Sequence, residues 1–340
     1  MTPSLRPSLV NGRFGDPAVV IEIAHERGAL LFDMGDLSAL SARALLRVQA
    51  IGVSHMHMDH LIGFDALLRV NVGRDGRISL VGPAGLAACI GHKLAGYTWD
   101  LVDRYDTELL FVVRELVEPG ALAETRFRFS TGFAPEAGET VPVDEHVVLA
   151  TDQWRLRAAI LQHHGPCLGF ALEEPCHVNV WRNRVEEAGL CVGAWLKPLK
   201  AAVRDGLPDE TLIALPDNRT ATLGELRHLV SVERGQKIGY VTDVADCSSS
   251  RAAIIALCRE ADLLFIEASF AAEDAERAAA RAHLTTIAAG EIGRACGARR
   301  LEPFHFSPRY EGEEQRLLAE VDGAFAGQNS RLGKGAADGR

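Results

Sequence analysis

Residues 54–60, SHMHMDH, hold four side chains of the kinds that bind metal ions: His55, His57, Asp59 and His60. In an extended segment alternate side chains share a face, so the first three point the same way, and His60 follows at the start of the next helix. Imidazole nitrogens and carboxylate oxygens are the usual ligands of Zn²⁺. Four such groups in so short a segment exceed the demand of one ion once distant ligands are added. The spacing therefore predicts a site for two metal ions.

The first half of the chain has the pattern of strands that would carry this segment. Short apolar runs bounded by polar turns predict strands, the first two of them joined as a hairpin by the turn 25–28. The run 50–55 leads directly into the histidine cluster, and the apolar period of 61–70 predicts a helix after it. Strands are predicted at 18–24, 29–35, 50–55, 78–83, 109–116, 125–130, 154–160 and 168–174.

The last third of the chain alternates short apolar strands with Ala-rich helices. The strands are predicted at 237–243, 262–270 and 299–306, and the helices at 249–260, 271–281 and 284–296. A hairpin-rich first half followed by this alternation indicates an α/β fold with two sheets packed together and helices outside. The Gly-rich tail from about 324 to 340 is expected to fray.

The amino-acid composition limits the kinds of protein that this chain can be. Hydrophobic residues make up 47% of the chain and charged residues 24%, which is typical of a soluble globular protein. The formal net charge of −10 argues against a broadly basic nucleic-acid surface but leaves room for a local basic groove. The N-terminus has no apolar run of signal-peptide length, and no stretch could span a bilayer, so we expect a cytoplasmic protein. Seven cysteines without a CxxC pair predict reduced thiols.

Three segments resemble a known family. SHMHMDHLIGF is similar to the HxHxDH signature of the metallo-β-lactamase fold, and GYVTD, ending at Asp243, resembles the strand that carries the bridging aspartate of that fold. HxHxDH is shared with glyoxalase II, lactonases and others. The segment AHLTTIAAGEIGRACGARRLEPFHFSPRY resembles the C-terminal motif pair of ribonuclease Z, the tRNA 3′-processing endonuclease. The resemblance covers residues 11–315.

The resemblance implies a four-layer αββα metallo-β-lactamase sandwich, with a single domain over 1–323. It also implies two Zn²⁺ ions, with Mn²⁺ or Fe²⁺ as alternatives. By the resemblance, one ion has His55, His57 and a histidine from LQHHGPCLGF as ligands, and Asp243 bridges the pair. The second ion has Asp59, His60 and His305. Either His163 or His164 fits the remaining position, and the spacing to Gly169-Phe170 favours His163.

The resemblance gives catalytic roles to two further positions. Two zinc ions would lower the pKa of a bridging water towards ~7 and clamp the phosphoryl oxygens, and Asp59 could orient the resulting hydroxide. His283 would protonate the departing oxygen as general acid. The alternative for His283 is a surface residue after a charged run. Arg309 could steady a phosphate or pair with a carboxylate.

The segment 174–206 departs from the family. It lies where ribonuclease Z enzymes carry a substrate-grasping arm with a Gly-Pro turn, and here the turn reads CVGAWLKPL. Its basic residues, a mild excess over its acids, suit a phosphate backbone or a solvated helix face. These basic residues are Arg182, Arg184, Lys197, Lys200 and Arg204.

The function predicted from the sequence is a phosphodiesterase that acts on the 3′ ends of precursor tRNA, with RNA as its partner. The alternatives are a small phosphodiester of the cyclic-nucleotide type, an ester or lactone hydrolase on the same metal pair, and a non-catalytic metal-binding protein. No membrane partner is expected. A homodimer is expected only because ribonuclease Z enzymes dimerise.

Overall fold

The computed structural model describes residues 4–24, 28–118, 120–143, 146–174, 176–216 and 219–327. The chain divides into two compact units, a larger one of 1–151, 155–172 and 237–340 and a smaller one of 152–154 and 173–236. The predicted insertion at 174–206 falls inside the smaller unit, which continues to Gln236. The single-domain organisation stays a prediction.

An eight-stranded sheet forms the first half of the larger unit, with its strands in chain order. Its three central pairings, from the third strand to the sixth, are parallel and the outer ones are antiparallel. The strands are β1 (Leu5–Leu9), β2 (Val19–Ile23), β3 (Ala29–Phe32), β4 (Val48–Gly52), β5 (Gly76–Pro83), β6 (Leu109–Glu118), β7 (Ala121–Arg128) and β8 (Pro135–Pro142).

A six-stranded sheet forms the second half of the larger unit, in the order β18-β17-β16-β11-β10-β9. Its last three strands along the chain pair in parallel. The strands are β9 (Val147–Ala150), β10 (Arg155–Gln162), β11 (Pro166–Glu173), β16 (Lys237–Val241), β17 (Leu263–Glu267) and β18 (Leu301–Phe304).

Successive side chains of a strand point to opposite faces of its sheet, so one face of each sheet packs on the other sheet and the opposite face packs on helices. Phe32 stacks on Phe170 and Tyr240 of the second sheet, with ring centroids 5.6 Å and 5.0 Å away. Its neighbour Leu31 belongs instead to a core shared with α2 (Phe64–Asn71) and α3 (Leu86–Ala95). In the second sheet Val241 packs in a core with helices α7 (Ser248–Cys258), α9 (Thr286–Ala295) and α10 (Glu314–Phe325). Two sheets thus lie face to face between helices, and the predicted αββα fold is confirmed.

Several predicted boundaries are wrong. The strand predicted at 29–35 ends at Phe32, because Asp33 takes a left-handed conformation with φ of 56°. The helix predicted at 271–281 is shortened to α8 (Ala275–Ala280), since a 3-10 turn precedes it where the Ala272 amide donates to Glu320.

Some observed strands and helices were not predicted, and some predictions concern residues that the structure does not describe. The first strand, α3, α10 and the short α1 (Ala42–Leu45) were not predicted. The tail predicted from 324 still belongs to α10 until Phe325, and 328–340 lie outside the described residues, as does most of the predicted turn at 25–28.

The smaller unit has its own apolar core, which includes Val185, Trp195 and Leu199. Two antiparallel two-stranded sheets and three helices surround that core: β12 (Cys176–Val180) with β15 (Val230–Arg234), β13 (Leu212–Ala214) with β14 (Thr220–Thr222), α4 (Arg182–Glu187), α5 (Leu196–Arg204) and α6 (Leu223–Leu226). Of the basic residues singled out in the sequence, two pair with acids within the unit, Arg182 with Glu186 and Arg204 with Asp205.

The state of the cysteines and the length of the helices can be compared with the expected reduced thiols and the expected lack of a membrane-spanning stretch. All seven cysteines are free thiols, as predicted, although Cys191 is exposed. Among the helices that the structure describes, none is both long enough and apolar enough to cross a bilayer.

Candidate metal centre

Parallel strands bring distant polar residues to one edge of the second sheet. Because β16, β17 and β18 run in parallel, their carboxyl ends meet at that edge. Asp243 follows β16 by two residues, Glu267 ends β17, and His305 follows β18 directly. The edge beyond the carboxyl ends of parallel strands is where open α/β sheets usually bind ligands.

The histidine cluster lies in a loop rather than in a strand. β4 ends at Gly52, before the predicted 55, and Met58–His60 form a 3-10 turn. The loop packs closely on the chain after β3: the Met34 amide donates to the carbonyl of His60, and the Gly63 amide donates back to Met34. A Cβ atom at Gly63 would lie 2.1 Å from the Gly35 carbonyl oxygen, so only glycine fits there.

Three overlapping groups of side chains with metal-binding atoms meet at this edge among the described residues, and one of them is Asp243, Glu267, His283 and His305. The other two groups lie on either side of Asp243. Of these two, the first contains His55, His57, His163 and Asp243, and the second contains Asp59, His60 and His305, with ligand atoms in each group within 4.8 Å of one another. Together these two groups hold the seven residues predicted from the sequence.

Asp243 contacts both groups. Its Oδ2 lies 3.3 Å from His55 Nε2 and 3.4 Å from His60 Nε2, and its Oδ1 lies 2.8 Å from His305 Nδ1. The backbone of Asp243 is left-handed, with φ of 48°. Strained conformations of this kind often accompany functional sites.

The structure separates the two neighbouring histidines in the turn between β10 and β11. The side chain of His163 is only 2% exposed, and its Nε2 lies 3.9 Å from Asp243 Oδ2. His164 is exposed, and its Nε2 lies 3.1 Å from the carbonyl oxygen of Arg281. His163 is therefore the one buried against Asp243, whereas the exposed His164 contacts the backbone of Arg281.

The unpaired atoms of the cluster fit a bound cation. The Nε2 atoms of His55 and His60 are buried and have no hydrogen-bond partner within the described part of the chain. Leaving such an atom unsatisfied costs about 1–3 kcal/mol. The carboxylate of Asp243 is buried as well, and the ion pairs found for it among the described residues involve histidines only. Buried nitrogen and carboxylate ligands without a Lys or Arg partner suit a divalent metal.

Asp33 was missed by the sequence reasoning. It is completely buried and accepts hydrogen bonds from the Ser54 amide (2.6 Å), the Ser54 hydroxyl (2.7 Å) and the Tyr240 hydroxyl (2.7 Å). Its Oδ2 also lies 2.8 Å from His60 Nδ1, which leaves Nε2 of that ring facing the cluster. A carboxylate in this position fixes the ring and its tautomer. The available signal was an aspartate directly after the buried strand β3.

Asp33→Asn is expected to weaken zinc binding by roughly 10–100-fold, because an amide cannot accept all four of these hydrogen bonds and no longer fixes His60. Competition with a chromogenic chelator measures the affinity. Asp36→Asn is the matched control, since the exposed Asp36 carboxylate accepts hydrogen bonds from Ser38 and its carbonyl accepts one from Asn11, away from the histidines. Equal zinc affinities in both variants would contradict the role given to Asp33.

His283 lies beside the cluster and not on the open surface, which was the alternative. Its ring centroid is 5.2 Å from that of His163 and 5.8 Å from that of His305, and its side chain is 17% exposed. Its Nδ1 lies 2.9 Å from Oε2 of the buried Glu267, so Nε2 is the free ring nitrogen. Glu267 was also missed, because it lies inside the apolar run LLFIEASF.

The histidines of the cluster differ in the direction in which their surroundings shift their pKa values. Burial lowers the pKa values of His57 and His163, which favours the neutral form that binds metals. Burial also opposes the charge on His305, but the carboxylate of Asp243 overrides it and raises the pKa of His305 to about 10. A metal ion bound there must displace that proton. The pKa values of Asp59 and Asp243 are lowered, against their burial, by hydrogen bonds and charge from the surrounding histidines.

A cavity of about 560 Å³ opens above the cluster. His57, Asp59, Asp243, His283 and His305 form its floor, and the remaining wall includes Phe14, Phe270 and Arg281. The cavity is large enough for part of a nucleotide chain or for a small diester.

Solved structures with a similar fold define the class of protein. The fold is similar to a metallo-β-lactamase fold protein from Bacillus subtilis, at 15% identity and a TM-score of 0.52, over 95% of this chain and 93% of that one. It is also similar to the short form of human tRNase Z, at 20% identity and a TM-score of 0.51, over 90% and 94% of the two chains. The protein has the metallo-β-lactamase fold.

Sequence relatives give the family. A ribonuclease Z of Deinococcus radiodurans is 32% identical over 303 residues, which covers 87% of this chain and 88% of that protein. No family model matches the chain. The chain belongs to the ribonuclease Z family, as its motifs predicted, and it is a metal-dependent hydrolase that uses divalent cations.

Proposed function

We propose that this protein is an endonuclease that hydrolyses a phosphodiester bond at the 3′ end of precursor tRNA. The observation that carries the proposal is the cluster of seven candidate metal ligands next to His283, with a cavity above it, in a chain of the ribonuclease Z family. The relatives' names, ribonuclease Z and tRNase Z, support the substrate.

Two ions would be held by the residues of the two groups. His55, His57 and His163 would bind one, Asp59, His60 and His305 the other, and Asp243 would bind both. Nitrogen-rich ligand sets favour Zn²⁺, and Mn²⁺ or Fe²⁺ are the alternatives. When bound, the pair supplies a lowered pKa for water and neutralises the charge that gathers on the phosphoryl oxygens.

The side chains of the protein handle the protons. Asp59, at 41% exposure, is open to the cavity and can accept a hydrogen bond from the attacking water, which it thereby orients. His283 can hold a proton at Nε2 and donate it to the departing oxygen, because Glu267 fixes the ring through Nδ1. Glu267 acts through His283 and is a positioning residue.

Glu267→Gln is expected to move the alkaline limb of the kcat profile to lower pH. Burial lowers the pKa of His283, but the charge and hydrogen bond of Glu267 outweigh it, and the net pKa is raised. A general acid works in its protonated form, so activity is lost as pH rises through this pKa. Removing the charge of Glu267 lowers the pKa and brings that loss to a lower pH. Rates measured from pH 5.5 to 9.5 test this, and an unmoved limb would contradict it.

Cleavage of a 3′-extended precursor tRNA, measured beside bis(p-nitrophenyl) phosphate with Zn²⁺ or Mn²⁺, tests the proposed function. We expect a single cut at the 3′ end of the tRNA body. Turnover of the small diester alone would retain the metal centre and reject tRNA as substrate. Turnover of neither would favour the ester or lactone alternative.

Two finer expectations are part of the proposal. A homodimer is expected, and size-exclusion chromatography with light scattering tests it. A cytoplasmic location is expected, and cell fractionation tests it.

A further inference from the structure

We propose that Arg281 binds a backbone phosphate of the RNA next to the one that is cleaved, and so favours a polynucleotide over a small diester. This inference rests on the proposed function and names a residue that the sequence patterns did not single out. It follows from the position, the pairing and the chemistry of Arg281.

The segment that carries Arg281 is fixed to the metal centre. Arg281 follows α8 directly and lies two residues before His283. The carbonyl oxygen of Arg281 lies 3.1 Å from His164 Nε2, and that of Ala282 lies 3.0 Å from His163 Nδ1. Ala282 is left-handed, with φ of 56°, which turns the chain between Arg281 and His283. Two histidine rings therefore hold the backbone of Arg281 at the cavity.

Among the described residues that line the cavity, Arg281 is the only arginine and none is a lysine. The carboxylates that line the cavity are Asp16, Asp59 and Asp243, and the whole chain has a net charge of −10. A polyanion approaching this cavity needs positive charge near the bond that is cut. Bound metal ions provide it at the cleaved phosphate, and Arg281 can provide it at a neighbouring one.

Pairing sets Arg281 apart from the arginines near it. Arg277, on the same helix, and Arg309 both lie 3.6 Å from the carboxylate of Asp274. Arg281 is exposed, and no carboxylate of the described residues lies within 4 Å of it. Its guanidinium is thus available to a ligand, and the planar fork suits phosphate oxygens.

A small diester has one phosphate, which the metal pair would take up, so it leaves nothing for Arg281 to bind. A polynucleotide places further phosphates beside the first. The contact therefore contributes to RNA binding and adds one phosphate to the salt dependence of that binding.

The test compares Arg281→Ala with Arg277→Ala, for the binding and cleavage of precursor tRNA from 50 to 300 mM KCl. We expect Arg281→Ala to raise Kd and KM for precursor tRNA several-fold, and to make the slope of log Kd against log[KCl] shallower by roughly 0.7–0.9. The loss of kcat/KM should be larger for precursor tRNA than for bis(p-nitrophenyl) phosphate. Arg277→Ala should match the wild type.

Three results would overturn the inference. An unchanged salt slope with a lower kcat would mean that Arg281 only positions the segment before His283. Equal slopes for both variants and the wild type would mean that Arg281 is a solvated surface charge. If the wild type neither binds nor cuts precursor tRNA, the inference is rejected together with the proposed function. If the wild type binds precursor tRNA without cutting it, only the proposed function is rejected, and the slope of log Kd against log[KCl] decides on Arg281.

Discussion

Asp243→Ala is expected to lower kcat/KM for phosphodiester hydrolysis by at least about 10³-fold, or ~4 kcal/mol of transition-state stabilisation. Asp243 has one oxygen near His55 and His60 and the other near His305. Without it both groups of imidazoles lose a buried carboxylate that they share, and metal content should fall below two ions per chain. Mass spectrometry of the metal content and rates with both substrates measure the two effects.

Asp246→Ala is the matched control for Asp243. Asp246 lies three residues after Asp243 in the same loop that follows β16. Its carboxylate pairs with Arg251 rather than with a histidine of the cluster. We expect full metal content in this variant and little change in rate. If Asp243→Ala kept two ions and near-normal rates while Asp246→Ala did the same, the metal centre proposed here would be wrong. Thermal unfolding separates loss of metal from loss of fold.

His283→Ala is expected to lower kcat for precursor tRNA by roughly 10²–10⁴-fold, the range for loss of a general acid. The metal content should stay at the wild-type level, because His283 is fixed by Glu267 and belongs to neither of the two groups assigned to the ions. The loss should be smaller with bis(p-nitrophenyl) phosphate, whose leaving group departs as a stable anion and needs less protonation.

The comparison between the two substrates identifies the role of His283. Equal losses on both substrates, with metal content intact, would assign His283 to binding rather than to proton transfer. A loss of metal would make it a ligand, through the group it forms with Asp243, Glu267 and His305. His92→Ala is the control for the substitution itself, since His92 is an exposed residue of α3.

Patterns along the chain determined the chemistry of this protein. Four ligand-type side chains in SHMHMDH, an aspartate ending one later strand and a histidine following another account for six of the seven candidate ligand positions, and the pair His163 and His164 left two choices for the seventh. The alternation of apolar and polar residues predicted most strands and two packed sheets with helices outside, and the family resemblance supplied the four-layer αββα architecture. These features are local, because a strand or a histidine motif is encoded by neighbouring residues, and the family motifs preserve their spacing.

Tertiary structure alone decided how the remaining residues take part. The choice between His163 and His164 depends on which of two adjacent rings a hairpin turn directs to Asp243. Asp33 and Glu267 read as ordinary residues in apolar runs, and they gain their roles only because sheet pairing places them against His60 and His283. Arg281 likewise is one arginine in a charged stretch until the fold leaves it unpaired at the cavity. Contacts between residues so far apart depend on strand order and packing, which no local pattern contains.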